Sequence, residues 1–345
     1  MGKTLILTGG GTAGHIMPNL AIAEFLFADF ERIIYLGREE GLEKDLVEKF
    51  GGIEYFGVKT AKFKRSFSLD NLKIPFALYK GIKEAKEIIL RENVSHIFSK
   101  GGFVSLPVVL AGLALKKKNN IKIIAHESDA SFGIANKLVA KKVDAILTTF
   151  PIEKKYKNQF CLGSPIRQEL YKGDAKRVYQ NNFDPKKKNL LVVGGSLGSG
   201  NINAVLRESR AELLKNFNIY HIAGTGKLTD ADKGISGYIA EEFSGDIADL
   251  YAWADFVVSR AGSNAVCEIL SLKKRALFIP LEKQSRGDQV LNCEFVISNN
   301  LGAVLREKDL TAESFAAAIL ALQKSKFKNI NLDGTKKIAE FIASE

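Results

Sequence analysis

Two glycine-rich loops, each directly after a short apolar run, predict an α/β chain built as two Rossmann-like domains with parallel sheets facing a cleft. Gly9-Gly10-Gly11-Thr12-Ala13-Gly14-His15 follows Leu5 to Leu7, and Gly194-Gly195-Ser196-Leu197-Gly198 follows Leu190 to Val193. Apolar runs alternate with helix-patterned segments through both halves, the pattern of parallel βα units. A glycine turn between strand and helix lets backbone N–H groups approach oxyanions closely, and the helix N-terminus adds a favourable dipole. In open parallel sheets ligands bind beyond the carboxyl ends of the strands, which is where both loops fall.

In the first half, Leu5 to Leu7, Ile33 to Leu36, His96 to Ser99, Ile121 to Ala125 and Ala145 to Thr148 read as buried parallel strands. Gly163-Ser164-Pro165 is turn-forming, and a polar stretch ending in Asp184-Pro185-Lys186-Lys187-Lys188 follows it. The alternation restarts with Leu190 to Val193, Ile219 to Ala223, Phe256 to Ser259 and Ala276 to Ile279. The expected domains are residues 1–162 and 163–330, with a final segment, 331–345, whose helix from Lys336 to Ala343 packs back on the first domain.

With 345 residues, 46% hydrophobic and 26% charged, the chain is long enough for two ordinary cores and has the balance of a soluble globular protein. Its longest apolar stretch, Phe103 to Leu115, is broken by Ser105, Pro107 and Gly112 and is shorter than the roughly 18 residues a spanning helix needs. Met1-Gly2-Lys3 leads straight into the first strand, so no signal peptide is expected. Cys161, Cys267 and Cys293 form no C-x-x-C pair, and the four histidines lack i, i+4 spacing, so neither a disulfide framework nor a structural metal is expected.

The net charge of +11 is concentrated between residues 59 and 86. There Lys59, Lys62, Lys64, Arg65, Lys73, Lys80, Lys83 and Lys86 face only Asp70 and Glu84, interleaved with Phe63, Phe67, Phe76 and Tyr79. That mixture suits an anionic lipid interface. No recognition-helix, RNA-platform or zinc-finger pattern accompanies the charge, so nucleic acid is not an expected partner.

The first loop also fits G-x-G-x-x-G at Gly9, Gly11 and Gly14, but a dinucleotide site wants an acid at the end of the second strand, where this chain has Gly37-Arg38. A nicotinamide site is therefore not expected. His15 starts the first helix, where an imidazole serves as general base, stabilises negative charge or merely caps. His126-Glu127-Ser128-Asp129 leaves the same choice open: Glu127 or Asp129 is the base, or all are structural.

Ser259-Arg260-Ala261-Gly262-Ser263-Asn264-Ala265 precedes a helical segment, Val266 to Leu270, which sets Glu268 about one turn in. A carboxylate there accepts hydrogen bonds from ribose hydroxyls while the N–H groups near Ser263 and Asn264 meet phosphate or base edges. An ordinary Gly-Ser turn reads the same way. Asp288-Gln289, in a polar loop after Pro280, suits sugar hydroxyls, and Arg167 offers a forked cation to a diphosphate.

As an ordered set, the loop Gly9 to His15, Ser99-Lys100-Gly101-Gly102-Phe103-Val104-Ser105, His126-Glu127, Gly133-Ile134-Ala135-Asn136-Lys137, Gly163 to Arg167, Gly194-Gly195-Ser196, Ser259 to Gly262 and Asp288-Gln289 resemble the MurG family of peptidoglycan N-acetylglucosaminyltransferases. The resemblance implies a GT-B glycosyltransferase fold and an inverting hexosyl transfer. N-acetylglucosamine would move from UDP-N-acetylglucosamine, a substrate and not a cofactor, to the 4-hydroxyl of a lipid-linked muramoyl-pentapeptide, converting lipid I to lipid II in cell-wall biogenesis. No cofactor and no metal are implied.

By the same resemblance His15 is catalytic. Thr12, Ala13, Gly14, Asp129, Arg167, Ser196, the run Ser263, Asn264, Ala265, Val266, Cys267 and Glu268, and Gln289 bind the donor. Gly101, Gly102, Phe103, His126, Glu127 and Asn136 lie toward the acceptor, and Lys64, Arg65, Phe76, Lys80 and Lys83 toward an anionic membrane surface. The implied location is peripheral, on the cytoplasmic face of the bacterial inner membrane beside other cell-wall synthesis proteins. The chain departs from the family pattern at Ala13, Ser128-Asp129, Ser164, Ala265 and Asp288. Asp129 is the sharpest departure, because a carboxylate near a diphosphate repels it unless a cation or sugar hydroxyl intervenes. A transferase using a different lipid acceptor would differ from this reading chiefly in the acceptor half, and an epimerase of UDP-N-acetylglucosamine would turn over the donor without any lipid.

Overall fold

The computed structural model describes residues 2–60, 74–178, 182–195, 198–282 and 287–345. In it the chain forms two units, Met1–Arg167 with Gly334–Glu345, and Gln168–Asp333. In the first, β1 (Thr4–Thr8), β2 (Arg32–Arg38), β3 (Glu54–Val58), β4 (His96–Ser99), β5 (Lys122–Glu127), β6 (Ala145–Thr148) and β7 (Gln159–Cys161) make a parallel sheet of order β3-β2-β1-β4-β5-β6-β7.

The two-residue side-chain period sends Leu5 and Leu7 to one face and Ile6 to the other. Leu5 and Leu7 pack with α1 (Ala13–Ala23), α2 (Leu42–Phe50) and the last helix, Thr335–Ser344; Ile6 packs with α3 (Ile74–Arg91), α4 (Ser105–Asn119) and α5 (Ile134–Val139). Both faces are covered, which is why the central strands are continuous apolar runs.

In the second unit β8 (Lys188–Val193), β9 (Phe217–Ile222), β10 (Tyr238–Glu241), β11 (Phe256–Arg260), β12 (Arg275–Ile279) and β13 (Ala303–Val304) make a parallel sheet of order β10-β9-β8-β11-β12-β13. Its helices are α6 (Gly200–Leu213), α7 (Ile247–Trp253), α8 (Ser263–Ser271), α9 (Asp288–Ser298) and α10 (Ala312–Leu322). Leu190 and Val192 meet Ile202 and Leu206 of α6 and Phe315 and Ile319 of α10 in one core.

The strand order of each sheet reverses at the strand that carries a glycine loop: β1 lies between β2 and β4, and β8 between β9 and β11. Each loop therefore sits at a topological switch point, the ligand position of open parallel sheets.

Three features differ from the sequence expectation. The four strands it lacks, β3, β7, β10 and β13, are the edges of the two sheets. The division between units falls after Arg167 rather than at 162, because Gly163 to Ile166 is tied to the last helix, α11 (Thr335–Ser344). There the Ile166 N–H donates to Thr335 Oγ1 at 2.7 Å, and the Gly334 N–H donates to the Ser164 carbonyl at 2.9 Å. The second unit also runs to Asp333 rather than 330. Helix α11 buries Ile338, Ala339 and Ile342 against α1 in the first unit's core, each isoleucine contributing about 1.5–3 kcal/mol.

Candidate functional site

The first glycine loop is held from behind. Gly11 has φ +87°, and a Cβ there would lie 2.6 Å from the Phe103 ring. Its N–H donates to Glu43 Oε1 at 2.7 Å, while Arg38 Nη2 donates to Glu43 Oε2 at 2.9 Å. Burial pushes the Glu43 carboxyl up, but the Arg38 and Gly11 hydrogen bonds outweigh it and hold the group below the usual carboxylate range. Arg38 thus has a partner of its own, which accounts for a basic residue where a dinucleotide site would want an acid.

Thr12 precedes α1 with an extended backbone, and its hydroxyl lies 3.0 Å from His15 Nδ1 instead of capping the helix. Gly101 and Gly102, with φ +78° and +85°, bring a second backbone turn against the loop: a Cβ on Gly102 would sit 3.2 Å from the Gly10 carbonyl and 3.5 Å from His15 Nε2. His15 is half-buried, and Thr12 and Gly14 are exposed. The structure therefore gathers Thr12, Ala13, Gly14, His15, Gly102 and Phe103 at the carboxyl ends of β1 and β4.

His126 is fully buried, with Nδ1 2.7 Å from Lys100 Nζ and Nε2 2.9 Å from the Gly163 carbonyl. Burial and the Lys100 charge hold it neutral, far below the ordinary histidine range. Lys100 then donates to Nδ1 and Nε2–H donates to Gly163. Both ring nitrogens are thus engaged within the unit, one of them on the carbonyl of Gly163.

Glu127 is also buried, accepting hydrogen bonds from the Gly133 N–H at 2.8 Å, Asn136 Nδ2 at 2.9 Å and the Asp129 N–H at 3.3 Å. Burial raises its carboxyl, with the Asp129 charge adding to the effect. Asn136 donates as well to the His126 carbonyl at 3.1 Å. Glu127 and Asn136 thus shape the loop that carries Asp129, which is half-buried.

In the second unit, Ser199 heads α6, its Oγ accepting the Ile202 N–H. Arg260 Nη2 lies 2.7 Å from both Ser199 Oγ and Glu307 Oε1, and Nη1 donates at 3.3 Å to the carbonyls of Ile279 and Pro280. This buried guanidinium joins the ends of β11 and β12 to the second glycine loop. Lys227 Nζ adds a hydrogen bond to the Gly198 carbonyl at 3.0 Å. Ser196 lies outside the described residues.

Helix α8 begins at Ser263, three residues before its expected start. Ser263 is buried, Asn264, Ala265 and Glu268 are half-buried, and the side chains of Val266 and Cys267 are fully buried in the core. Val266 and Cys267 can therefore face a ligand only through their backbone. Glu268 stands five residues beyond Ser263, roughly 7.5 Å of helix rise, so the helix N-terminus and this carboxylate are separated along one helix.

Asp288 and Gln289 are the first two residues of α9, not part of a loop. Gln289 Oε1 accepts the Leu281 N–H at 2.9 Å, so this side chain's oxygen is used within the unit. Arg167 is half-buried and ends the first unit.

Sequence reasoning missed Glu43, Arg260, Lys227 and Phe243. The last is 77% exposed just beyond the carboxyl end of β10. Its only signal was a large apolar residue within Glu241-Glu242-Phe243-Ser244-Gly245-Asp246.

On α3, Phe76 and Tyr79 are 74% and 69% exposed, and Lys80 and Lys83 share their face at helical spacing. Lys64 and Arg65 lie outside the described residues. Among the described residues no helix is long and apolar enough to cross a membrane. A cavity of about 540 Å³ lies at the far end of α8, lined by Tyr171, Tyr251, Ser271 and Lys274, away from the strand ends that carry the loops.

Two parallel α/β units, each with a glycine loop at its switch point, define a glycosyltransferase of the GT-B fold. A crystal structure of MurG from Acinetobacter baumannii matches with TM-score 0.77 at 22% identity, covering 99% of this chain and 100% of that one. The glycosyltransferase of kitacinnamycin matches at 0.73 and 13%, covering 100% and 95%. The profile of the glycosyltransferase family 28 N-terminal domain fits residues 5–148 and that of its C-terminal domain residues 189–343. The chain belongs to this family, in its MurG branch.

Among its relatives is the Lachnospira eligens UDP-N-acetylglucosamine–N-acetylmuramyl-(pentapeptide) pyrophosphoryl-undecaprenol N-acetylglucosamine transferase, 41% identical over 95% of this chain and 93% of that protein. The Geobacillus kaustophilus protein of the same description is 42% identical over 94% and 92%.

Proposed function

We propose that this chain transfers N-acetylglucosamine from UDP-N-acetylglucosamine to the 4-hydroxyl of muramoyl-pentapeptide diphospho-undecaprenol, with inversion at the anomeric carbon. The observation that carries this reading is the near full-length identity of about two residues in five to transferases of that description. The acceptor oxygen attacks the anomeric carbon, the bond from that carbon to the diphosphate oxygen breaks, and UDP leaves. His15 takes the hydroxyl proton. In the tautomer where Nδ1–H donates to Thr12 Oγ1, the basic lone pair falls on Nε2, the nitrogen beside Gly102. Glu127 is the weaker candidate, since its oxygens already hold three donors.

The charge that develops is on the leaving diphosphate. The N-terminus of α8 supplies preorganised positive potential for it, with no resident metal or cofactor in this reading. Glu268 accepts from the ribose, Phe243 stacks on the base and Gln289 donates to the sugar. The exposed Phe76, Tyr79, Lys80 and Lys83 of α3 dock on an anionic membrane surface, where a polyprenyl-linked acceptor resides, so the enzyme attaches peripherally on the cytoplasmic face. The test is incubation with labelled UDP-N-acetylglucosamine and muramoyl-pentapeptide diphospholipid, followed by linkage analysis. A β-1,4-linked disaccharide lipid is expected; transfer only to another lipid, or lipid-independent isomerisation of the donor, overturns the assignment.

A further inference from the structure

We infer that Glu43, through its hydrogen bond to the Gly11 N–H, is a positioning residue for His15 and so for turnover. This inference rests on the transferase reading above. Gly9 to Gly11 form a run of three glycines with wide backbone freedom, and something must select one conformation. The selecting contact is a carboxylate 0% exposed, 2.7 Å from the Gly11 nitrogen. Gly10 packs on the same group, since a Cβ there would lie 2.3 Å from Glu43 Oε1.

Around it stands a polar layer of the first unit. Arg38 Nε and Nη2 both donate to Glu43, Tyr55 Oη donates to the Arg38 carbonyl at 2.5 Å, and Tyr35 Oη donates to the Gly9 carbonyl at 2.5 Å. Glu43 is also in the first turn of α2, where the helix dipole favours a negative charge.

The connection forward is short. Gly11 is bonded to Thr12, whose carbonyl accepts the His15 N–H at 3.0 Å and whose hydroxyl contacts His15 Nδ1 at 3.0 Å. Fixing Gly11 therefore fixes the residue that orients the imidazole. It also settles what the loop binds: the Gly11 N–H is given to an internal carboxylate, so this loop presents a histidine and is not a cradle in which Gly11 holds phosphate.

The experiment compares wild type, Glu43→Ala, Glu43→Gln and Arg38→Met by kcat, KM for UDP-N-acetylglucosamine, UDP affinity and thermal midpoint. Glu43→Ala is expected to lower kcat about ten- to a hundredfold, the cost of a misplaced catalytic group, with KM and UDP affinity within about twofold. Glu43→Gln keeps an oxygen for the Gly11 N–H and should recover most of the rate even where its melting point is lowered. Arg38→Met, with the carboxylate retained but unneutralised, should fall between them.

Wild-type kcat in Glu43→Ala overturns the inference. So does a loss in all variants that follows the melting point and reduces UDP affinity in parallel, because that is a structural defect alone. A wild-type enzyme that makes no disaccharide lipid would instead sink the transferase reading.

Discussion

The two glycine loops follow the same strand-to-helix design, yet opposite charges hold them. In the first, a carboxylate, Glu43, takes the N–H of Gly11. In the second, cations take the other polarity: Lys227 bonds the Gly198 carbonyl, and Arg260 bonds Ser199 at the head of α6. In the first loop the carboxylate takes up an N–H that a bound anion would need, whereas in the second Lys227 takes a carbonyl and brings positive charge to the loop. Glycine spacing alone does not make a phosphate site. What differs is the group behind the loop, a carboxylate in one and a cation in the other.

The sharpest way to break this contrast is a pair of substitutions. His15→Ala should lower kcat by about a hundred- to ten-thousandfold, the contribution of a general base, with UDP affinity unchanged. Glu268→Ala should weaken UDP binding by about ten- to a hundredfold, the worth of charge-assisted hydrogen bonds, and spare kcat at saturation. If the two variants shared one phenotype in titration calorimetry and steady-state kinetics, the division of labour between the units would be wrong.

A smaller effect compares the two folds as folds. Besides His126, the chain buries two histidines away from the loops, His96 in the first unit and His221 in the second, and burial lowers both to about 4. The unfolded chain binds protons on these rings below about pH 6.5 while the folded chain does not, so stability is full above that pH and falls as the solution is acidified toward 4. From pH 7 to 5 the loss should be on the order of 2 kcal/mol per histidine, read from denaturant midpoints. His96→Gln and His221→Gln should each flatten the profile; an unchanged slope would deny the rings this role. Smallest is the membrane term, which belongs to the first unit only. Lys80→Glu with Lys83→Glu should reduce partition onto anionic vesicles by at least about thirtyfold, at roughly 1 kcal/mol per basic residue, and equal partition would remove α3 from the interface.

Central strands were legible because burial on both faces leaves uninterrupted apolar runs such as Leu190 to Val193. Edge strands were not: β3 reads Glu54-Tyr55-Phe56-Gly57-Val58 and only Val58 is buried, so its sequence carries no such run. Within the site, the glycines and His15 were readable from position after a strand. The start of α8 was not, since Gly262 leads into Ser263 without a side-chain cap. Nor could spacing reveal that His126 is taken up by Lys100 and Gly163, partners 26 and 37 residues away, or that the turn from β2 into α2 folds Glu43 back onto Arg38 and the Gly11 N–H.

The last helix has a consequence for biogenesis. Residues 168–333 are synthesised after the first sheet is complete but before Ile338, Ala339 and Ile342 exist to cover α1. At usual elongation rates that interval is on the order of ten to thirty seconds. For that time the emerging polypeptide carries an oily strip with nothing over it, a natural place for a chaperone to hold, and any premature stop before residue 335 would leave the strip bare for good.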